Sequence, residues 1–128
     1  PAEEVLNVMS KSIAVIHTES FEQNMMDMVR FSVSTKIAES LMYGPCLIAY
    51  GPGGIASIDY LKENKAAWTI TDPEDLEKGL EEILGNSALR EKIVRNARKL
   101  AEKNHNADVN PKKVREWLEQ IIKQAAPK

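Results

Sequence analysis

A run of small hydroxyl residues followed by a lysine and a glutamate is the part of the sequence best suited to chemistry. It covers residues 32–39 and reads Ser-Val-Ser-Thr-Lys-Ile-Ala-Glu. The first N–H groups of a helix lack partners within the helix and carry positive partial charge. A helix that begins here would therefore offer Ser34, Thr35 and Lys36 to phosphate oxygens. The carboxylate of Glu39, one turn further on, could accept two hydrogen bonds from a vicinal diol such as a ribose.

The same residues also fit an ordinary helix start, in which Ser34 is only an N-cap and Lys36 and Glu39 form a surface pair. Other motifs that carry chemistry are missing from the sequence, which has no Gly-x-x-x-x-Gly-Lys loop, no Gly-x-Gly-x-x-Gly and no Gly-x-Ser-x-Gly. His17 and His105 are too isolated to indicate a metal site. The sequence thus indicates neither a metal nor a cofactor.

Short apolar segments predict the strands that would position these residues. The strands are expected near residues 13–17, 46–50 and 66–70, the first of them buried on both faces. Residues 21–33 show no clean apolar period and are predicted as a long ordered loop. Helices are expected near residues 1–9, 34–43, 55–64, 73–84, 87–101 and 110–122, with Asp72 and Ser87 as caps and Gly44-Pro45 as a stop signal.

Strands that alternate with helices indicate parallel strands joined by right-handed crossovers. We therefore expect an α/β fold: a partial Rossmann-like, three-layer α/β/α unit with a short parallel sheet of about three strands and three C-terminal helices, residues 1–128 forming a single domain. In such sheets ligands bind beyond the carboxyl ends of the strands. Residues 17–20, 51–54 and 71–72 are predicted to lie at those ends.

Charge is unevenly distributed along the chain. Residues 1–85 carry 6 basic and 14 acidic side chains, whereas residues 86–128 carry 11 basic and 5 acidic ones. A basic half could bind nucleic acid or an anionic membrane surface. The basic residues alternate with apolar ones at helical spacing and have few aromatic neighbours, which favours a solvated helix face. We predict no nucleic-acid partner, no membrane span, and a reducing cytoplasm for the single cysteine, Cys46, in its apolar run.

The order of these segments resembles a known family. Residues 34–45, followed by an apolar strand and Gly51-Pro52, are similar to the donor-site segment of GT-B-type glycosyltransferases, which reads S-x-P-x-K-x-x-E-Y-L-x-x-G-x-P before a strand. Residues 3–16 resemble the helix and strand before that segment, and residues 73–98 resemble the helical pattern after it. Nearly the whole chain is covered, as the second half of the nucleotide-sugar-binding domain.

The resemblance implies roles for particular residues. Glu39 matches the glutamate that binds the ribose hydroxyls of a nucleotide diphosphate sugar, and Ser34 and Thr35 match the helix start that meets its diphosphate, with Lys36 beside them. Gly53 and Gly54 would allow a close approach of the backbone to the donor. Many members carry a further acidic residue eight positions before the glutamate, where this chain has Phe31.

The implied function is donor binding in a glycosyltransferase that transfers a sugar to an acceptor. The catalytic groups would lie in a missing N-terminal portion of the same protein, so that the isolated chain is expected to be inactive. It is also expected to form a homodimer through an exposed sheet edge. Two alternatives stay open: a sugar-nucleotide epimerase of the same fold, and a flavodoxin-like signalling or interaction domain without catalysis.

Overall fold

A parallel three-stranded sheet forms the centre of the fold in residues 2–125, the part of the chain that the computed structural model describes. The strands are β1 (Ala14–Thr18), β2 (Cys46–Tyr50) and β3 (Trp68–Ile70), in the spatial order β1-β2-β3. Both pairs are parallel, with Ala14 opposite Cys46 and Ile48 opposite Trp68. The predicted parallel strands are confirmed, although β3 begins two residues later than expected.

The described residues also contain seven α-helices. They are α1 (Ala2–Ser10), α2 (Gln23–Val29), α3 (Thr35–Tyr43), α4 (Ala56–Glu63), α5 (Leu76–Gly85), α6 (Ser87–Asn104) and α7 (Asn110–Ala125), and a 3₁₀ turn over Pro73–Asp75 precedes α5. Asp72 caps that turn as predicted, by accepting a hydrogen bond from the N–H of Glu74. Pro1, predicted to open the first helix, lies outside the described residues.

Strand β2 is the buried centre, with helices on both of its faces. Leu47 and Ala49 point to the face covered by α3, α4 and the second half of α6, whereas Cys46 and Ile48 point to the face covered by α5 and the first half of α6. The fold class is therefore the predicted partial Rossmann-like α/β/α unit. The residues buried on the first face are Ile37, Leu41, Leu47, Ala49, Ile55, Ile58, Leu61, Ala66, Ala67, Ala97, Leu100 and Ala101.

The C-terminal end of α3 is held by hydrogen bonds from Arg98 and by the close packing of Gly44. The Arg98 guanidinium donates hydrogen bonds to the carbonyls of Leu41 and Gly44, which have no partner within α3. Gly44 has an ordinary extended backbone, but a Cβ there would lie 2.5 Å from the Ser40 carbonyl oxygen. A side chain would not fit at position 44 without a shift of its neighbours. The Arg98 hydrogen bonds fix the position of the C-terminal end of α3.

The prediction of a loop over residues 21–33 is wrong, because α2 lies within it. Met26 and Val29 pack on the core at helical spacing, but Met25 and Met28 are exposed on the same helix. Apolar side chains on both faces of α2 hide its period in the sequence.

Three smaller predictions also need correction. Strand β1 is not buried on both faces: Ile16 lies on the same side of the sheet as Ile48, but Ile48 is buried whereas Ile16 is 57% exposed. The cap of α6 is Asn86 rather than Ser87, since its side chain accepts the Leu89 N–H. The apolar stripe of α7 contributes no buried residue among those described.

Candidate functional site

The first turn of α3 lies at the carboxyl edge of the sheet. Only two residues separate the end of α3 from the start of β2, so its last turn is at the amino edge and its first turn is at the opposite one. The loops that follow β1 and β2 leave the sheet at that same carboxyl edge. Ser34, Thr35, Lys36 and Glu39 are thus on the edge where ligands bind in this class of sheet.

The α3 start does not have the contacts of an ordinary capped helix. Ser34 occupies the N-cap position with an extended backbone, but its side chain makes no capping hydrogen bond. Within residues 2–125 the ion pairs are His17–Glu19 and Glu91–Arg95, so Lys36 and Glu39 are not paired with each other. Thr35, Lys36 and Glu39 are exposed and Ser34 is half-buried. These polar groups are accessible to a ligand at a helix N-terminus.

The glycine loop after β2 is shaped by the start of α4. Gly54 has φ +82°, in the left-handed region, and its N–H donates to both carboxylate oxygens of Asp59 at 3.1 Å. A Cβ at Gly53 or Gly54 would meet no atom within 4 Å. The space above this loop is open, as close approach of a ligand to the backbone requires.

A backbone hydrogen bond joins the segment before α3 to the first residue of α4, just after the glycine loop. The Ala56 N–H donates to the Arg30 carbonyl at 2.8 Å. Arg30, Phe31, Gly54, Ala56 and Asp59 then line a cavity of about 300 Å³. The two predicted groups, residues 34–39 and the glycines, thus share one edge, and in the described chain no hydrogen bond joins their side chains or backbones directly.

A partly buried polar cluster lies at the same edge. Oε1 of Glu19 accepts the Ser57 hydroxyl at 2.7 Å and lies 3.0 Å from Nε2 of His17. The Glu19 N–H donates to the Tyr50 carbonyl, and a Cβ at Gly51 would lie 2.8 Å from the Cβ of Glu19. The carboxyl ends of β1 and β2 and the start of α4 are therefore locked together.

Sequence reasoning missed Arg30, Ser57 and Asp59 at this edge. Arg30 lay in the segment misassigned as a loop, and Ser57 acts through a partner 38 residues away. Asp59 did have a local signal, since it stands five residues after Gly54 in the first turn of α4, where a carboxylate can accept a loop N–H.

Other kinds of chemistry find little support in the described residues. No group of three or more His, Cys, Asp or Glu side chains there could hold a metal ion. None of the helices there combines the length and the apolar character that crossing a membrane requires. Burial raises the pKa of the Cys46 thiol to about 11, although the positive charge of Arg90 opposes the rise. Cys46 is therefore a buried, protonated thiol and a poor nucleophile.

The Rossmann-like sheet has an accessible helix start and an open glycine loop at its carboxyl edge, which is the edge where ligands bind in open α/β sheets. The profile of the glycosyl transferase-like family matches residues 1–119. The chain belongs to this family, as the resemblance of residues 34–45 predicted, which supports a role in glycosyl transfer and favours that role over a flavodoxin-like signalling domain. No curated protein and no solved structure matches the chain significantly.

Proposed function

We propose that the chain is the donor-binding segment of a GT-B glycosyltransferase and that it binds a nucleotide diphosphate sugar at the carboxyl edge of its sheet. The observation that carries this proposal is the start of α3. The Ser34 side chain makes no capping hydrogen bond there, and Lys36 and Glu39 form no ion pair with each other. A site of this kind fits a ligand with one anionic part and one diol.

Each residue has a physical task in this proposal. The diphosphate lies over the first turn of α3, where backbone N–H groups, the Ser34 and Thr35 hydroxyls and the Lys36 ammonium oppose its negative charge. The Glu39 carboxylate accepts hydrogen bonds from the two ribose hydroxyls. Gly53 and Gly54 leave room for the rest of the donor, since no side chain projects from them.

The residues that activate the acceptor are proposed to lie outside residues 1–128. The described residues at this edge bind and orient the donor. We accordingly expect the chain alone to bind sugar nucleotides without transferring the sugar.

The test is a calorimetric titration of the chain with UDP-glucose, GDP-mannose and ADP-glucose. Replacing Glu39 by Ala should weaken the best of these ligands by about 1.5–3 kcal/mol, the range for hydrogen bonds to a charged group. The matched control is Glu63→Ala, which removes an exposed carboxylate from the last turn of α4 at the opposite edge. Equal affinities for the Glu39→Ala and Glu63→Ala chains would remove the ribose role of Glu39.

A further inference from the structure

Two neighbouring cavities near the amino edge of the sheet are lined by lysines and by no acidic residue. The first, of about 290 Å³, lies where α4 ends and β3 begins, against α6. The second, of about 280 Å³, shares Lys65 and Asn96 with the first. We call the two together the lysine cavity. The lysines that line it are Lys62, Lys65, Lys92, Lys99 and Lys103.

The positive charges of this cavity are not neutralised within the described chain. The ion pairs in residues 2–125 are His17–Glu19 and Glu91–Arg95, so none of the five lysines is paired with a carboxylate. Like charges around one space repel one another, and an anion between them would remove that repulsion.

Helix α6 contributes its lysines from one face. Lys92, Asn96, Lys99 and Lys103 follow one another at intervals of three or four residues, the spacing of side chains that are neighbours on a helix. The acidic residues of the same helix line neither cavity; they are Glu91 and Glu102. The alternation of basic residues in the C-terminal half of the chain therefore forms part of a basic cavity wall.

Lys65 lines both cavities and has an unusual backbone conformation. Its φ is +52°, and no other non-glycine residue in the described range has a positive φ. A Cβ is crowded in this left-handed region, whereas glycine adopts it freely. The Asn96 side chain donates a hydrogen bond of 3.0 Å to the Lys65 carbonyl and helps to hold this conformation. A lysine at a position that favours glycine indicates that its side chain has a task.

The first cavity also has apolar walls. Ala67 and Ile93 are buried there, and Trp68 and Leu89 are half-buried. The second cavity is lined by polar and basic side chains, apart from Leu100. A ligand that fits both has an anionic group on one side and an apolar or aromatic group on the other.

We propose that the lysine cavity binds a phosphate ester whose organic part is apolar or aromatic. A phosphate monoester carries a charge of about −1.5 to −2 at pH 7, which suits a wall of several lysines. The phosphate lies near Lys65, where the two cavities meet, and the organic part packs on the apolar walls of the first cavity. The α3 start lies at the carboxyl edge, so this inference does not rest on the proposed function.

The first experiment is an amide NMR titration of the chain with 1-naphthyl phosphate. Residues 62–69 and 92–103 should shift, and the affinity should fall as sodium chloride is added, because salt screens the lysine charges. Inorganic phosphate and 1-naphthol each carry one half of the ligand and should bind more weakly. Shifts confined to residues 34–39, or 1-naphthol binding as tightly as its phosphate, would overturn the proposal.

Lys65→Gly tests the central lysine without straining the fold. The variant should bind 1-naphthyl phosphate about three- to tenfold more weakly, as expected for the loss of one charge-assisted contact. Its melting temperature should not fall, since glycine adopts a positive φ readily. Lys92→Ala is the second variant, an exposed α6 residue at which alanine favours the helix, and it should weaken binding to a similar extent.

Lys11→Ala is the matched control, because Lys11 is exposed and lines neither cavity. Unchanged affinity in both Lys65→Gly and Lys92→Ala would remove the site. An equal loss in Lys11→Ala would mean that the probe responds only to the overall charge of the chain, which also removes it. If Lys65→Gly were less stable than the unaltered chain, the affinity of Lys92→Ala would decide.

A phospholipid headgroup offers the same chemistry as a soluble phosphate ester. Co-sedimentation with phosphatidylcholine vesicles, with and without phosphatidic acid, distinguishes the two sources. Binding that needs phosphatidic acid and is lost in Lys65→Gly would assign the site to a lipid. Binding of 1-naphthyl phosphate without vesicle binding would assign it to a soluble ligand. If the chain bound neither, the lysine cavity would have no phosphate ligand and the proposal would be wrong.

Discussion

The buried hydroxyl of Ser57 donates a hydrogen bond of 2.7 Å to Oε1 of Glu19. This contact joins the first turn of α4 to the loop after β1, beside Gly51, the glycine that follows β2. Nε2 of His17 lies 3.0 Å from the same oxygen. These side-chain contacts stabilise the carboxyl edge of the sheet, next to the glycine loop of the candidate site.

Replacing Ser57 by Ala should lower the free energy of unfolding by about 1–3 kcal/mol, because the partly buried carboxylate of Glu19 loses the hydrogen bond from the buried Ser57 hydroxyl. Urea denaturation followed by circular dichroism measures the change. Ser87→Ala is the control, since Ser87 is exposed, and its effect should stay within about 0.5 kcal/mol. Indistinguishable midpoints for the two variants would show that the Ser57 contact does not stabilise the fold.

How much could be predicted from the sequence depended on the range of the interactions. Strand β2 and helix α3 were predicted correctly, because an unbroken apolar run and an amphipathic segment stopped by Gly-Pro are local signals. Helix α2 was missed, since its exposed methionines mask the two residues that reach the core. Helix α2 depends on the packing of Met26 and Val29 against the core, and a short stretch of sequence does not show that packing.

The candidate site divides in the same way. The grouping of Ser34 with Glu39 is a matter of spacing along one helix and could be predicted from the sequence. The approach of Arg30 to Gly54 depends on how two loops cross the sheet edge, through the bond from the Ala56 N–H. That crossing requires the three-dimensional fold, and the cavity next to Phe31 was therefore not foreseen.

Gly44→Ala should destabilise the chain by about 1–3 kcal/mol, the usual cost of forcing extra atoms into a packed position. The added methyl would lie 2.5 Å from a backbone oxygen of α3 and 3.0 Å from Cε of Met9. Gly53→Ala is the matched control, because its methyl meets nothing within 4 Å. Thermal melts of both variants decide the matter: a Gly44→Ala chain as stable as Gly53→Ala would mean that the α3 end can move freely.

Cys46 should resist alkylation by iodoacetamide until the chain unfolds. Its pKa in the folded chain is raised from 9.0 to about 11, so the reactive thiolate is scarce at neutral pH. Because the folded pKa is the higher one, the Cys46 contribution to stability is present below pH 9.0 and is lost as the pH rises toward about 11. Rapid labelling of the native chain near neutral pH, at the rate seen in urea, would contradict the raised pKa.

The outer edge of β1 should make the chain associate with a second copy. This strand pairs only with β2 in the described residues, which leaves its other row of backbone N–H and C=O groups available for pairing. Ile16 in this strand is 57% exposed, and Ile13 just before it is 65% exposed. No proline, Lys, Arg, Asp or Glu interrupts Ala14–Thr18. On the opposite side of the sheet, β3 is only three residues long and offers a weaker edge.

Sedimentation velocity over a dilution series should therefore show a monomer–dimer equilibrium for the unaltered chain. Ile16→Lys places a charge on the exposed side of β1 and should shift the equilibrium to monomer, because a buried unpaired lysine opposes edge-to-edge contact. Val114→Lys is the control, since it charges the exposed apolar stripe of α7 and leaves β1 unchanged. If Val114→Lys abolished association while Ile16→Lys did not, the two copies would meet through α7 and the β1 edge would have no part in the contact.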